Sequence, residues 1–279
     1  MRPLYGRMMC SIGVMALLAG SAACRSVQSP TAPSLPQVGP PPTPAPPPVT
    51  PQGWALVFDD EFDVDGAPDP ARWGHERGYV RNDEAQYYTS DPNNARVESG
   101  QLVIEARKGS GGRRYTSASL HTRGRFDLTY GRIEVRAQVP AGIGTWPAIW
   151  TLGVTRGWPL GGEVDIMEYV GFDPNSIYGS IHTQATNLTT PFAIANPAGG
   201  FHVYTMDWDA DRIIIAVDGA SYVTYPNDRT GVGTWPFDAP QYILLSLAIG
   251  GTWGGQQGID DSIFPARLLV DYVRVYQQR

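Results

Sequence analysis

The chain has 279 residues, a formal net charge of −6 and only 17% charged residues, against 32 glycines and 25 prolines. That length suits one large domain or two small ones, and the glycine and proline content favours turns and short strands over long helices. The acidic balance argues against nucleic acid as a partner and weighs against acidic polysaccharides.

Residues 1–24 read as a signal peptide. Arg2 and Arg7 make a charged start, Met8 to Leu18 is a short apolar run, and Ala19 to Cys24 is a run of small residues. The apolar run is too short for a comfortable membrane span. Both cysteines, Cys10 and Cys24, lie in this segment, so the chain beyond it carries no internal disulfide. Ser21-Ala-Ala-Cys24 resembles the bacterial lipoprotein cleavage box, departing from it at Ser21, where leucine is usual. The expectation is an exported chain with a lipid anchor at Cys24, placed at the outer membrane or cell surface, or else plain secretion. Residues 25–51 form a Pro-rich linker. Its Pro40-to-Pro48 stretch samples extended polyproline II and builds no core.

Residues 52–279 read as one all-β domain. Leu102 to Ala106, Gly131 to Val139, His202 to Trp208 and Arg212 to Val217 alternate as strands do. Asp218-Gly219 supplies a hairpin turn after the last of these. Tyr242 to Ile249 is almost wholly apolar, as a central strand would be, and Leu268 to Tyr276 alternates again. No long segment has helical periodicity with caps. This many strands over one domain predict two packed antiparallel sheets, a sandwich or jelly roll.

The segment Glu163-Val-Asp-Ile-Met-Glu168 places three carboxylates in an otherwise buried strand. Side chains alternate with period two, so Glu163 and Asp165 share a face and Glu168 falls on the opposite one. One extra residue near Ile166-Met167, a β-bulge, restores Glu168 to the acidic face. Acids alternating along a strand are usually a solvated face. Here the flanks are apolar and Trp146-Pro-Ala-Ile-Trp150 lies just upstream, which favours an aromatic-lined cleft. Paired carboxylates facing a groove are what glycoside hydrolysis requires: one stays ionised while its neighbour keeps a proton.

The chain resembles glycoside hydrolase family 16, especially its bacterial laminarinase-like endo-β-1,3-glucanases. The resemblance rests on Phe58-Asp-Asp-Glu-Phe62, Asn82-Asp-Glu-Ala-Gln-Tyr87, Tyr130-Gly-Arg-Ile-Glu134, Trp146 to Trp150, Gly162 to Glu168, Gly179-Ser-Ile-His182, Gly250-Gly-Thr-Trp253 and Val270 to Tyr276. It spans nearly all of residues 54–279, and the extra Met167 matches the bulged laminarinase form. It implies a concanavalin-like jelly roll with a concave cleft, Glu163 as nucleophile and Glu168 as acid/base. Asp165 would hydrogen-bond Glu163 and tune the shared protons. The resemblance further implies a cleft histidine at His182 and a sugar-binding Asn82. Trp146 leans to the cleft, Trp150 is open between cleft and core, and Trp158 and Trp253 lie in Gly-rich loops that suit sugar stacking. Arg123 is open between cleft and surface. Many members hold a structural calcium away from catalysis, and the matching positions are Glu61, Gly100 and Asp271; catalysis itself needs no cofactor.

The implied activity is endo-acting, retaining hydrolysis of β-1,3-glucan by a monomer, extending to mixed-linkage β-1,3-1,4-glucan. Two alternatives stand beside it: a non-catalytic β-glucan-binding protein on the same fold, and a hydrolase of agar or carrageenan. The three carboxylates favour an enzyme, and the acidic balance weighs mildly against sulfated galactans.

Overall fold

A computed structural model describes residues 48, 50 and 52–279; the expected signal peptide with Cys24 and most of the expected linker lie outside the described residues. Among the described residues, short alternating runs closed by glycine, proline and aspartate turns give seventeen strands: β1 (Trp54–Asp60), β2 (Gly74–His75), β3 (Gln86–Tyr88), β4 (Ala95–Val97), β5 (Leu102–Lys108), β6 (Tyr115–Ser117), β7 (Ser119–His121), β8 (Gly131–Gln138), β9 (Thr145–Gly153), β10 (Glu163–Glu168), β11 (Ser176–His182), β12 (Asn187–Ala193), β13 (His202–Trp208), β14 (Arg212–Val217), β15 (Ala220–Pro226), β16 (Gln241–Ile249) and β17 (Ala266–Gln278). They form two sheets. The seven-stranded sheet runs β12-β11-β10-β9-β16-β7-β2. The ten-stranded sheet runs β15-β14-β13-β8-β17-β5-β6-β3, with β1 on β17 and β4 on β5. All pairings are antiparallel except β3 with β6. This is the expected two-sheet jelly roll, and the expected hairpin turn at Asp218-Gly219 links β14 to β15.

Alternation then sorts the side chains. The inner faces meet in one core that includes Ile149, Val164, Ile166, Met167 and Ile181 from the smaller sheet and Val135, Tyr204, Met206 and Ile215 from the larger. Each such buried side chain contributes about 1.5–3 kcal/mol relative to exposure. The outer face of the smaller sheet carries Trp146, Ala148 and Trp150 from β9, the three acids from β10, and Ser246 and Ala248 from β16.

The expected bulge is present. On β11, Asp165 pairs with Ser180 but Glu168 pairs with Tyr178; on β9, Asp165 pairs with Trp150 but Met167 pairs with Ile149. Each ladder shifts by one residue across Ile166-Met167, so both apolar residues point inward and Glu168 returns to the outer face. The Tyr222 hydroxyl on β15 donates to the Ile166 carbonyl within the bulge. Gly179 on β11 makes that reach sterically feasible: a Cβ there would lie 2.6 Å from Tyr222 Cε2 and 2.8 Å from Val223 Cγ2.

The calcium expectation concerns Glu61, Gly100 and Asp271. One edge of β17 pairs with β5 as far as Val270 and with β1 from Val273 onward. Glu61 follows Asp60, the partner of Val273, and Gly100 precedes Leu102, the partner of Val270. The carboxylates of Glu61 and Asp271 are already engaged. Both oxygens of Glu61 accept from Arg274, at 2.7 and 2.8 Å, and Asp271 is ion-paired with Arg136. With two guanidinium groups neutralising the acids, a cation here would rely on main-chain oxygens rather than on carboxylate charge.

The Tyr222 contact generates a stability prediction. Replacing Tyr222 by Phe leaves the buried Ile166 carbonyl without that donor, which costs about 1–3 kcal/mol. Thermal melting should show Tm lower by several degrees. Initial-rate assays of the still-folded variant should show reduced kcat, because the bulge sets the direction of Glu168.

Candidate active site

The three acids of β10 open onto a cleft of about 490 Å³. Its floor is the outer face of β9, β10, β11, β12 and β16. Its walls come from three loops: Arg81, Asn82 and Glu84 before β3, Trp158 between β9 and β10, and Trp253 after β16. The first and last of these are joined by the Thr252 amide, which donates to the Asn82 carbonyl at 2.8 Å. Gly251 permits this closure. Its φ is +78°, and a Cβ would lie 3.0 Å from the Asn82 oxygen and 3.1 Å from Glu84 Cγ.

Glu168 is 7% exposed and held at both oxygens. The Trp146 indole N–H donates to Oε1 at 3.0 Å, and Ser180 Oγ donates to Oε2 at 2.9 Å. Ser180 also lies 3.0 Å from Thr189 Oγ1, on the next strand outward. Asp165 is 2% exposed. His182 Nε2 stands 3.3 Å from Asp165 Oδ2, and Glu163 hydrogen-bonds the Asp165 carboxylate. Glu163 is half-buried and pairs across the strands with His182.

Burial dominates the electrostatics, because it disfavours the charged form of each acid. Burial and then the charge of Asp165 push Glu163 up to about 8, against the opposing pull of His182 and a hydrogen bond from Trp158. Burial, then Glu168, pushes Asp165 well above the usual carboxylate range. Burial pushes Glu168 up to about 7, opposed by its bonds from Trp146 and Ser180. Three acids this close do not titrate independently; they hold a common stock of protons. Such a set can deliver a proton from one carboxyl while a neighbour stays ionised.

Most expected site residues meet here: Glu163, Asp165, Glu168, Asn82, Trp146, Trp150, Trp158, His182 and Trp253 all line the cleft. Their surfaces differ. Trp158 is 66% exposed. Trp146 meets Trp253 edge-on at 5.6 Å, and Trp253 meets Tyr178 at 4.8 Å. Trp150 is covered floor rather than an open platform. It is 5% exposed, its indole N–H donates to Ser246 Oγ at 3.2 Å, and the Arg81 guanidinium lies over its ring at 4.8 Å. Arg123 stands away from the cleft lining, exposed, with its guanidinium 5.6 Å from the Tyr242 ring.

Sequence reasoning missed Arg81, Glu84, Ser180, Thr189 and Ser246. Glu84 and Ser180 lay inside motifs already singled out, Asn82 to Tyr87 and Gly179 to His182. Glu84 is buried, raised by that burial, and accepts from Gln86 Nε2 at 2.7 Å. Ser180 was findable by parity, since it faces Asp165 across the ladder. Thr189 and Ser246 required the strand register.

Comparison with known proteins agrees with this geometry. A curated β-glucanase of Rhodothermus marinus is 47% identical over 244 residues, covering 80% of this chain and 85% of its own. The X-ray structure of the laminarinase from Rhodothermus marinus superposes with a TM-score of 0.79 at 47% identity, covering 81% of this chain and 98% of that one. The crystal structure of SCLam, a non-specific endo-β-1,3(4)-glucanase, matches with a TM-score of 0.79 at 47% identity, over 84% of this chain and 95% of that one. The pattern of glycosyl hydrolases family 16 matches residues 82–274, which include the whole acidic strand and most of the cleft. The chain belongs to glycosyl hydrolases family 16.

Proposed function

We propose that the chain cleaves internal bonds of β-1,3-glucan with retention of configuration and also accepts mixed-linkage β-1,3-1,4-glucan. The observation that carries this reading is the pair Glu163 and Glu168, returned to one face by the bulge at the base of a tryptophan-lined cleft. Relatives support the substrate class: the chain is 47% identical to the Rhodothermus laminarinase and to SCLam.

Glu163 attacks the anomeric carbon while Glu168 gives its proton to the leaving oxygen. Glu168 then takes a proton from water as that water displaces Glu163. Without a sugar, burial favours the protonated forms of both Glu163 and Glu168. In the transition state, positive charge developing on the sugar ring beside Glu163 favours its carboxylate. His182 and Trp158 favour that ionised form as well. Trp146 and Ser180 fix both oxygens of Glu168, so the acid is aimed before the sugar arrives.

Glu163→Gln and Glu168→Gln should each lower kcat by several orders of magnitude with Tm little changed or raised, since each puts a neutral amide of the same shape in place of a buried acid. NMR of the first products should show the anomeric configuration retained; initial inversion would sink the mechanism.

Reducing-sugar release should be clear on laminarin, weaker or comparable on mixed-linkage glucan and absent on cellulose. Stacking requires the sugar faces to follow the groove wall. Trp146→Ala should therefore cost about 1–3 kcal/mol in kcat/KM, the scale of one buried aromatic contact. Activity on agarose or carrageenan alone would overturn the glucan assignment and leave the two-carboxylate chemistry standing.

Export and anchoring at Cys24 belong to the same proposal and rest on Ser21 to Cys24 and the Pro-rich spacer. Fatty-acid labelling should tag the wild type and not Cys24→Ser; an unlabelled wild type in the medium would mean simple secretion. A structural calcium at Glu61, Gly100 and Asp271 rests on the family resemblance and on the ladders that carry β1 and β5 up to either side of Asp271-Tyr272 on β17. Calcium should then raise Tm by a few degrees over the chelator-treated protein, and an unchanged Tm would remove the ion from the reading.

A further inference from the structure

A fourth buried carboxyl borders the cleft, apart from the three on β10. Glu84 is 7% exposed and stands on the loop before β3, beside Asn82. Each of its oxygens meets a donor: Gln86 Nε2 lies 2.7 Å from Oε2, and Asn82 Nδ2 lies 3.4 Å from Oε1. Arg81 and the Tyr88 hydroxyl also favour its ionised form, against the opposing pull of burial. Both oxygens are thus engaged within the wall, and what Glu84 does for the cleft it does through a neighbour.

The direction of these bonds is fixed from the sheet outward. A carboxamide has one accepting and one donating end, so its orientation follows from whichever partner cannot switch roles. The main-chain N–H of Ile249, the last residue of β16, can only donate, and it donates to Gln86 Oε1 at 2.7 Å. Gln86 is fully buried, and its amino group is thereby turned to Glu84. An ionised Glu84 only accepts, so it takes the amino end of Asn82 too. The Asn82 carboxamide oxygen then points away from Glu84. The Asn82 main chain is held as well: its carbonyl accepts from Thr252, and its φ of +56° lies in the left-handed region that asparagine and aspartate tolerate.

We propose that Glu84 is a positioning residue that sets the hydrogen-bonding polarity of Asn82, so that the cleft offers a carboxamide oxygen to a donating sugar hydroxyl. This rests on the glucan reading above in taking Asn82 as a sugar contact. It also makes the wall selective. A free hydroxyl satisfies that oxygen; a substituted one, with no proton to give, leaves it unpaired. Glu84→Gln reverses the chain: the new amide gives its oxygen to Gln86 and its amino group to Asn82, which turns the Asn82 oxygen inward. Asn82→Asp alone sets two carboxylates against each other. In the double variant the aspartate accepts from the glutamine and keeps one oxygen for the sugar, with the charge of the pair unchanged.

The test uses the full chain with Glu84→Gln, Asn82→Asp and the two together, and laminarin as substrate. Each single change should raise KM about tenfold, the scale of one hydrogen bond, and act on KM more than on kcat. The double variant should return KM to within about threefold of the wild type. Thermal melting without substrate should show Tm lowered by a few degrees in each single variant and restored in the double. A side chain that merely fills space would give additive losses instead. Additive losses in Tm would overturn the chain of bonds from Ile249 to Asn82. Unchanged KM in the single variants, or restored Tm with unrestored KM, would overturn its part in sugar binding. Should Glu84→Gln alone fail to fold, a folded double variant is the recovery expected, and an unfolded one overturns it. A wild type inactive on laminarin would refute the glucan reading, and the melting arm would still decide this one.

Discussion

The one-residue bulge at Ile166-Met167 is the constraint on which the catalytic face depends. A regular strand would send Glu168 into the core and Met167 onto the cleft floor. The ladder shift reverses both, burying two adjacent apolar residues while turning the acids on either side of them towards the cleft. A bulge needs support, because it interrupts ladder hydrogen bonds inside a packed sandwich. Tyr222 of the opposite sheet supplies a donor to Ile166, and the missing side chain of Gly179 leaves room for its ring. The Gly in Gly179-Ser-Ile-His182 is therefore explained by packing from behind, while Ser180 and His182 in the same motif serve the face in front.

The same strand imposes an electrostatic cost. Three carboxyls sit side by side, two of them almost inaccessible to water. The surrounding donors are few and specific: Trp146 and Ser180 on Glu168, Trp158 on Glu163, and His182 beside Asp165. Full neutralisation by arginines would remove the cost and the chemistry together. That solution is used elsewhere in this chain, where Glu105 is contacted by Arg96, Arg107 and Arg267 on the larger sheet. The contrast separates a structural acid from a reactive one better than burial does, since Glu105 is 0% exposed and its carboxyl is pulled below the usual range.

Much of this was legible in the sequence. Parity alone demanded the bulge, and the apolar run at Tyr242 to Ile249 foretold the central β16, all nine of whose residues are buried. His202 to Trp208 and Arg212 to Val217 were legible to the residue. What failed depended on contacts distant in sequence. The cover over Trp150 comes from Arg81, nearly seventy positions away in a separate loop. Arg123 lies over Tyr242 because β7 pairs with β16, a register that no local pattern reveals. The short strands β2, β3, β4, β6 and β7 have two or three residues each, too few for alternation to register.

Chemistry and selectivity occupy different parts of the fold. The carboxylates and His182 stand on adjoining strands that also bury the core through their opposite faces, so their positions are rigid. Asn82, Trp158 and Trp253 stand on loops, where a change of length or residue leaves the sheet ladder intact. Substitutions in those loops can alter which glucan lies across the cleft without disturbing Glu163 or Glu168. A change at Gly179, Tyr222 or Met167 acts the other way: it leaves the walls in place and moves the acid.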